Sequence, residues 1–349
     1  MAEIRDLMIK VPSIRHQWLT FLAGHGLQDF PPAEVAGVDH VVGLYENDRL
    51  VGTGATAGNI LKFIAVDAST PPGAYFNQIV SELQSRLAAA GQLHVMVSTK
   101  PQYEKSFHYV GFQTLVHTHW GVLMEAGTPT ITQYLQGLSG ATGTIGEHRS
   151  AIVMNANPFT KGHRYLVEQA AMQSDAVDIF VVSTDRSLFT TAERLHLVQT
   201  NTADLANVHV YLGGDYMVSY ATFPAYFLAS NDTIINYQTT IDARLFRDWV
   251  AKILHIQTRY VGEEPLSHTT AIYNQVLQKE LPPQVQVKVI PRLKVGRTIV
   301  TATQVRSAIA QNKLSEIRSL LPAKTWKFIQ IHQTELETRI KKGMTIRGN

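Results

Sequence analysis

The chain has no cysteine. That absence removes disulfide frameworks, thiolate-bound zinc, iron–sulfur clusters and a cysteine nucleophile, and it fits a reducing compartment. Charge of one sign is also scarce. Against 28 Asp and Glu stand 31 Lys and Arg, a net +3 over 349 residues, too little to hold a nucleic acid by its phosphates. No run of ~18–20 uncharged apolar residues occurs, so no segment is expected to cross a bilayer. The start carries Glu3, Arg5, Asp6 and Lys10 and does not read as a targeting segment. A Walker A loop, a Gly-x-Gly-x-x-Gly loop and a His-Glu-x-x-His helix are all missing. A cytoplasmic chain with no nucleic acid and no membrane among its partners is the expectation.

What is present is a globular composition, 45% hydrophobic and 17% charged, long enough for two domains. From His40 to Met124 the pattern predicts an α+β unit. Strands flank a hairpin turn at Glu46–Arg49. A helix follows over residues 75–90, with Phe76, Ile79, Val80, Leu83 and Leu87 on one face, and further strands lie at 94–99 and 113–124. Gly137, Gly140, Gly143 and Gly146 then recur every three residues among Ser, Thr and Ala, which reads as a connector over residues 127–149. Beyond it, strand and helix alternate from AIVMNA to TQVRSAIAQ. That alternation predicts a doubly wound parallel sheet, with any ligand at the strands' C-terminal edge.

Two elements carry chemistry. In IVMNANPFTKGHRYLVEQAA an apolar strand runs into Asn155-Ala156-Asn157-Pro158-Phe159, a turn at Thr160-Lys161-Gly162 follows, and His163 opens a helix. The first N–H groups of such a helix, with its dipole, form an anion site. Gly162 lets backbone approach a ligand, Thr160 adds a hydroxyl, and His163 adds a donor able to become cationic. In Val300–Arg306, VTATQVR, Thr301 or Thr303 can cap a second helix, with Arg306 one turn in as a fork for phosphate. Two such N-termini suit a triphosphate.

These motifs resemble the nucleotidyltransferase superfamily of T/H-x-G-H and I-S-S-T-x-x-R sequences. The whole chain is similar to the citrate lyase ligase family, through the segment around Thr160–His163, Tyr216–Leu228, Thr239–Arg247, YVGEEP at Tyr260–Pro265 and IPRL at Ile290–Leu293. The resemblance implies an acetyltransferase-like (GNAT) domain over residues 1–126, then the connector, then a Rossmann-like nucleotidyltransferase domain of the HIGH type over residues 150–349. It implies an ATP-dependent ligase. Acetate would displace pyrophosphate from ATP, and the acetyl-adenylate would acylate a thiol on the acyl-carrier (gamma) subunit of citrate lyase. Thr160, His163 and Arg306 would be catalytic. Asn155, Asn157, Phe159, Gly162, Gly262, Thr301 and Thr303 would bind the nucleotide, and Mg²⁺ would ride on the phosphates with no dedicated protein ligands.

Two departures stand out. Ala302 replaces the second Ser of the late motif, and Ser69–Tyr75, with Pro71 and Pro72, lacks the glycine-rich pyrophosphate loop of acetyl-CoA enzymes. The first domain is therefore expected to dock the acyl carrier or its prosthetic group. An adenylyltransferase acting on a phosphorylated metabolite, a silent binding module and a CoA-dependent acetyltransferase are the rival readings.

Four further features have ordinary structural readings. His117 and His119 share a strand face with no third ligand nearby, and Phe223, Tyr226 and Phe227 read as core. Asp242, Arg244 and Arg247 fit either an ordinary helix or a carrier contact. The basic run Arg339–Arg347 reads as a solvated tail.

Overall fold

The structure, a computed structural model, describes every residue except 1, 29, 31, 70, 140–147, 184–186, 218–227, 229–230, 264–267, 297 and 345–349. The chain divides into two compact units, Met1–Tyr134 with Phe223–Ile241, and Leu135–Thr222 with Asp242–Asn349.

In the first unit, alternating apolar residues build a seven-stranded sheet. Its strands are β1 (Glu3–Asp6), β2 (His40–Glu46), β3 (Arg49–Ala57), β4 (Ile60–Val66), β5 (His94–Thr99), β6 (Gln113–His117) and β7 (Val122–Gly127), in the order β1-β2-β3-β4-β5-β7-β6. Asn47 and Asp48 both take left-handed φ, 50° and 62°, as a two-residue hairpin turn between β2 and β3 requires. All neighbours are antiparallel except β4 and β5, which pair in parallel at Ile60–Met96 and Leu61–Val97. Helices α1 (Pro12–Gly24), α2 (Pro32–Ala36), α3 (Ala74–Ala89) and α4 (Glu104–Tyr109) also belong to this unit. The apolar stripe of α3 buries Ile79, Val80, Leu83 and Leu87. This is the mixed α+β sheet expected from sequence, extended at its edge by β1, for which the sequence pattern gave no strand.

The range read as a connector is in part a helix. α5 (Ile131–Ser139) starts where the Glu125 carboxylate accepts the Ile131 N–H (3.1 and 3.2 Å), and it buries Ile131 and Leu135. Gly140, Gly143 and Gly146 lie outside the described residues, as do Phe223, Tyr226, Phe227 and the end of YVGEEP. Within the first unit the buried Tyr237 hydroxyl lies 2.5 Å from Ser98 Oγ. A Cβ on Gly121 would fall 2.6–2.8 Å from the Tyr237 ring and hydroxyl, so this glycine makes room for the tyrosine.

The second unit is doubly wound, as expected. β8 (Arg149–Met154), α6 (Lys161–Ala171), β9 (Ala176–Val181), α7 (Thr191–Thr202) and β10 (Val208–Leu212) wind outward in one direction. α8 (Asn231–Leu245) belongs to the first unit as far as Ile241 and continues in the second through a π-helical stretch, Phe246–Ala251, into α9 (Lys252–Leu254). β11 (Thr258–Gly262), α10 (His268–Glu280) and β12 (Gln286–Ile290) then wind the other way. The all-parallel order β10-β9-β8-β11-β12 puts a topological switch point between β8 and β11, where ligands of such sheets bind.

A short hairpin, β13 (Lys294–Val295) and β14 (Thr298–Ile299), leads into α11 (Ala302–Ala310), α12 (Ala323–Ile331) and α13 (Gln333–Lys341). Ile152, Val177, Ile179, Leu197, Val305 and Ile329 are among the residues of one apolar core here. The basic run at the end is not a solvated tail throughout. Arg339 lies in α13 and grips Glu193 with two bonds of 2.7 and 2.8 Å. Asp242, Arg244 and Arg247 are likewise engaged internally, with Arg259, Glu280 and Asp248 respectively. Among the described residues no helix is long and apolar enough to cross a membrane.

Candidate anion-binding site

β8 ends at Met154, and the chain turns through Asn155–Phe159 into α6. Thr160 is the N-cap, and here the local chemistry is specific. Its hydroxyl accepts the His163 N–H (3.4 Å), while its own N–H donates to His163 Nδ1 (3.0 Å), closing a reciprocal capping box. A backbone N–H cannot accept, so Nδ1 carries no proton and the imidazole proton sits on Nε2. Burial, and beyond it the positive charges of Arg292 and Arg306, push the His163 imidazole down to about 3. His163 is therefore a neutral Nε2–H donor, which corrects the expectation that it becomes cationic.

The second helix start lies against the first. A Cβ on Gly162 would fall 3.4 Å from the Val300 carbonyl oxygen, so the first turn of α6 touches the residue before the α11 N-cap. Thr301 caps α11 in the same way, with Gln304 as the reciprocal partner: the Thr301 N–H donates to Oε1 (3.0 Å) and its hydroxyl accepts the Gln304 N–H (3.2 Å). Arg306, 1% exposed, donates from Nη1 to the Asn157 carbonyl (2.6 Å) and from Nη2 to Thr303 Oγ1 (3.1 Å). It thus ties the β8–α6 loop to the α11 start. Burial pushes its guanidinium down to about 10, so it stays charged at neutral pH. Two helix N-termini, a neutral imidazole donor and a buried arginine meet at the sheet's C-terminal edge, an arrangement that favours a polyanion.

The remaining expected residues divide. Asn155 and Asn157 stand in the loop, but both side-chain oxygens serve the fold: Asn155 Oδ1 accepts from Arg194 Nη1 (2.9 Å) and Asn157 Oδ1 accepts the Phe189 N–H (3.2 Å). Phe159 does not line a pocket. It is wholly buried in the apolar core, stacked on the His163 ring at 5.6 Å between centroids, so it backs the imidazole. Gly262 ends β11, where a Cβ would meet nothing within 4 Å, and its carbonyl accepts from Asn274.

Sequence reasoning missed two arginines. Arg194, fully buried, donates to the carbonyls of Asn155 (3.0 Å), Val182 (2.6 Å) and Phe189 (3.1 Å), to Asn155 Oδ1 and to Thr191 Oγ1 (2.9 Å), and so holds the ends of β8 and β9 to the start of α7. The available signal was a charge at an apolar position, since Arg194 shares the inward stripe of Leu197, Val198 and Asn201. Arg292, inside IPRL, donates from Nε to the Glu263 carbonyl (2.6 Å) just past β11. Among the described residues no group of three His, Asp or Glu could hold a metal. The N–H donors and arginines around His163 suit anionic oxygens and offer no ligand to a metal ion.

Fold and site together define a doubly wound α/β domain with an anion-binding edge, preceded by a mixed α+β domain. Comparison with known proteins is more specific. The family described as citrate lyase ligase C-terminal domain matches residues 149–329. Over 300 residues, 84% of this chain and 85% of the relative, the chain is 35% identical to the citrate (pro-3S)-lyase ligase of Escherichia coli (strain K12). It is 35% identical over 325 residues to that of Klebsiella pneumoniae, covering 91% and 93%. The figure is again 35%, over 298 residues covering 83% and 88%, for that of Haemophilus influenzae. The chain belongs to the citrate lyase ligase family.

Proposed function

We propose that the protein is a cytoplasmic ATP-dependent ligase. It acetylates the thiol of the 2′-(5″-phosphoribosyl)-3′-dephospho-CoA group on the acyl-carrier subunit of citrate lyase. In this reading residues 150–349 perform the adenylation, and residues 1–126 serve the carrier or its prosthetic group. The acetate oxygen bonds to the α-phosphorus of ATP as the bond to the β-phosphate oxygen breaks, giving acetyl-adenylate and pyrophosphate. The carrier thiol then attacks the acetyl carbon, AMP leaves with the bonding pair, and the thiol proton passes to solvent.

The chain's own part is positioning and charge stabilisation. The observation that carries the reading is the pair of touching, capped helix N-termini bearing His163 and Arg306. Thr160 and His163 Nε2–H would donate to phosphoryl oxygens from one side. Arg306, Thr301 and Thr303 would face them from the other, with Asn155, Asn157 and Gly162 forming the loop beneath. Magnesium on the phosphates would neutralise part of their charge.

ATP–pyrophosphate exchange by the purified protein tests this. Exchange that requires both acetate and Mg²⁺ is expected. Exchange that ignores acetate but responds to a phosphorylated metabolite would replace this reading by an adenylyltransferase.

A further inference from the structure

We propose that Arg292 is a further anion-binding residue of this site and grips the pyrophosphate portion of the nucleotide, a role that rests on the ATP reading above. β12 ends at Ile290, paired with Gly262 at the end of β11, and Pro291 then carries the chain to Arg292. The Nε–H bond to the Glu263 carbonyl (2.6 Å) pins this guanidinium across the C-terminal ends of β11 and β12. That is the edge from which the β8–α6 loop also rises. An arginine held through Nε has its planar fork oriented before any ligand arrives, which suits bidentate recognition of phosphate.

The charge balance points the same way. Arg292 and Arg306 both lie near enough to His163 to oppose its protonation, and Arg292 is itself half-buried, with the Glu263 carboxylate as a partial counter-charge. Arg292 and Arg306 flanking a neutral N–H donor set a positive field there that favours an anion. In the adenylation step the departing pyrophosphate carries the most negative charge, and charge builds on it as the bond breaks. Arg306 faces that group from the α11 start, and Arg292 adds a second cation from the ends of β11 and β12.

Binding of inorganic pyrophosphate and of AMP, each with Mg²⁺, to the full-length wild type, Arg292→Gln and Arg292→Lys tests the assignment. Arg292→Gln should weaken pyrophosphate roughly 10- to 100-fold and leave AMP within about twofold. Arg292→Lys loses the bond to Glu263 as well but keeps the charge, and it should recover part of the pyrophosphate affinity. Unchanged pyrophosphate binding, an equal loss for AMP, or a lysine variant no better than glutamine would each overturn the proposal, the last two by pointing to a loop tie. Should the wild type bind neither ligand, the ATP reading fails and this one with it.

Discussion

The second unit contains its own control for His163. Three of its helices start with a threonine capping box, and the third helical residue differs each time: His163 in α6, Glu193 in α7 and Gln304 in α11. In all three the cap threonine donates its N–H to that side chain, at 3.0 Å (Thr160), 2.8 Å (Thr190) and 3.0 Å (Thr301). Glutamine and glutamate can therefore replace His163 without opening the start of α6. Alanine cannot. Thr160 is 1% exposed, and stranding its buried N–H should cost about 1–3 kcal/mol.

Activity should rank differently. Glutamine keeps an N–H donor beyond its acceptor oxygen, alanine keeps neither, and glutamate sets a negative acceptor where phosphate should bind. With the imidazole Nε2–H donating in the transition state, His163→Ala should lose on the order of 10²–10³ in turnover, or about 2.7–4 kcal/mol. His163→Gln should lose less and His163→Glu more. Urea unfolding and ATP–pyrophosphate exchange on the same three variants separate the two roles. Activity that simply tracks stability, or a glutamate variant as active as the glutamine one, refutes the reasoning.

Acid should destabilise the protein through the same residue. A histidine at about 3 when folded and near 6.5 when unfolded binds more protons in the unfolded state between those values. Its contribution is thus fully present above pH ~6.5 and lost as pH falls, by about 2 kcal/mol at pH 5. Urea titrations at pH 7 and 5 should show that component in the wild type and its absence in His163→Gln. Arg194→Met strands the carbonyls of Asn155, Val182 and Phe189 and should cost roughly 3 kcal/mol or more, read as a lower urea midpoint at unchanged slope. Gly127→Ala should be about as severe, because its φ of +85° disfavours a side chain and the Cβ would fall 1.8 Å from the Leu93 carbonyl oxygen; the thermal midpoint measures it.

The parts of this fold that were legible in sequence are those where one local rule decides the outcome. Strict βα alternation announced the parallel sheet, and Thr160 and Thr301 announced two helix starts, because a cap is settled within four residues. What was hidden depends on partners far along the chain. Arg339 reads as one more basic residue near an end until Glu193, 146 positions earlier, supplies its carboxylate. Gly127, at the opening of the range read as a connector, is fixed by Leu93, and α5 by Glu125, contacts that no pattern of glycines encodes.

The same distinction explains the charge state of His163. From sequence alone, a helix start with a free imidazole permits either charge state. Its state is set instead by the Thr160 N–H on Nδ1, by burial, and by two arginines that arrive 129 and 143 residues later, at Arg292 and Arg306 (292 − 163 and 306 − 163). In this site the positive charge therefore belongs to the arginines, and the histidine contributes a directed, uncharged N–H. In the free enzyme such a donor keeps its state across the pH range in which free histidine titrates, so no acid limb of kcat/KM for ATP between pH 5 and 8 should trace to His163.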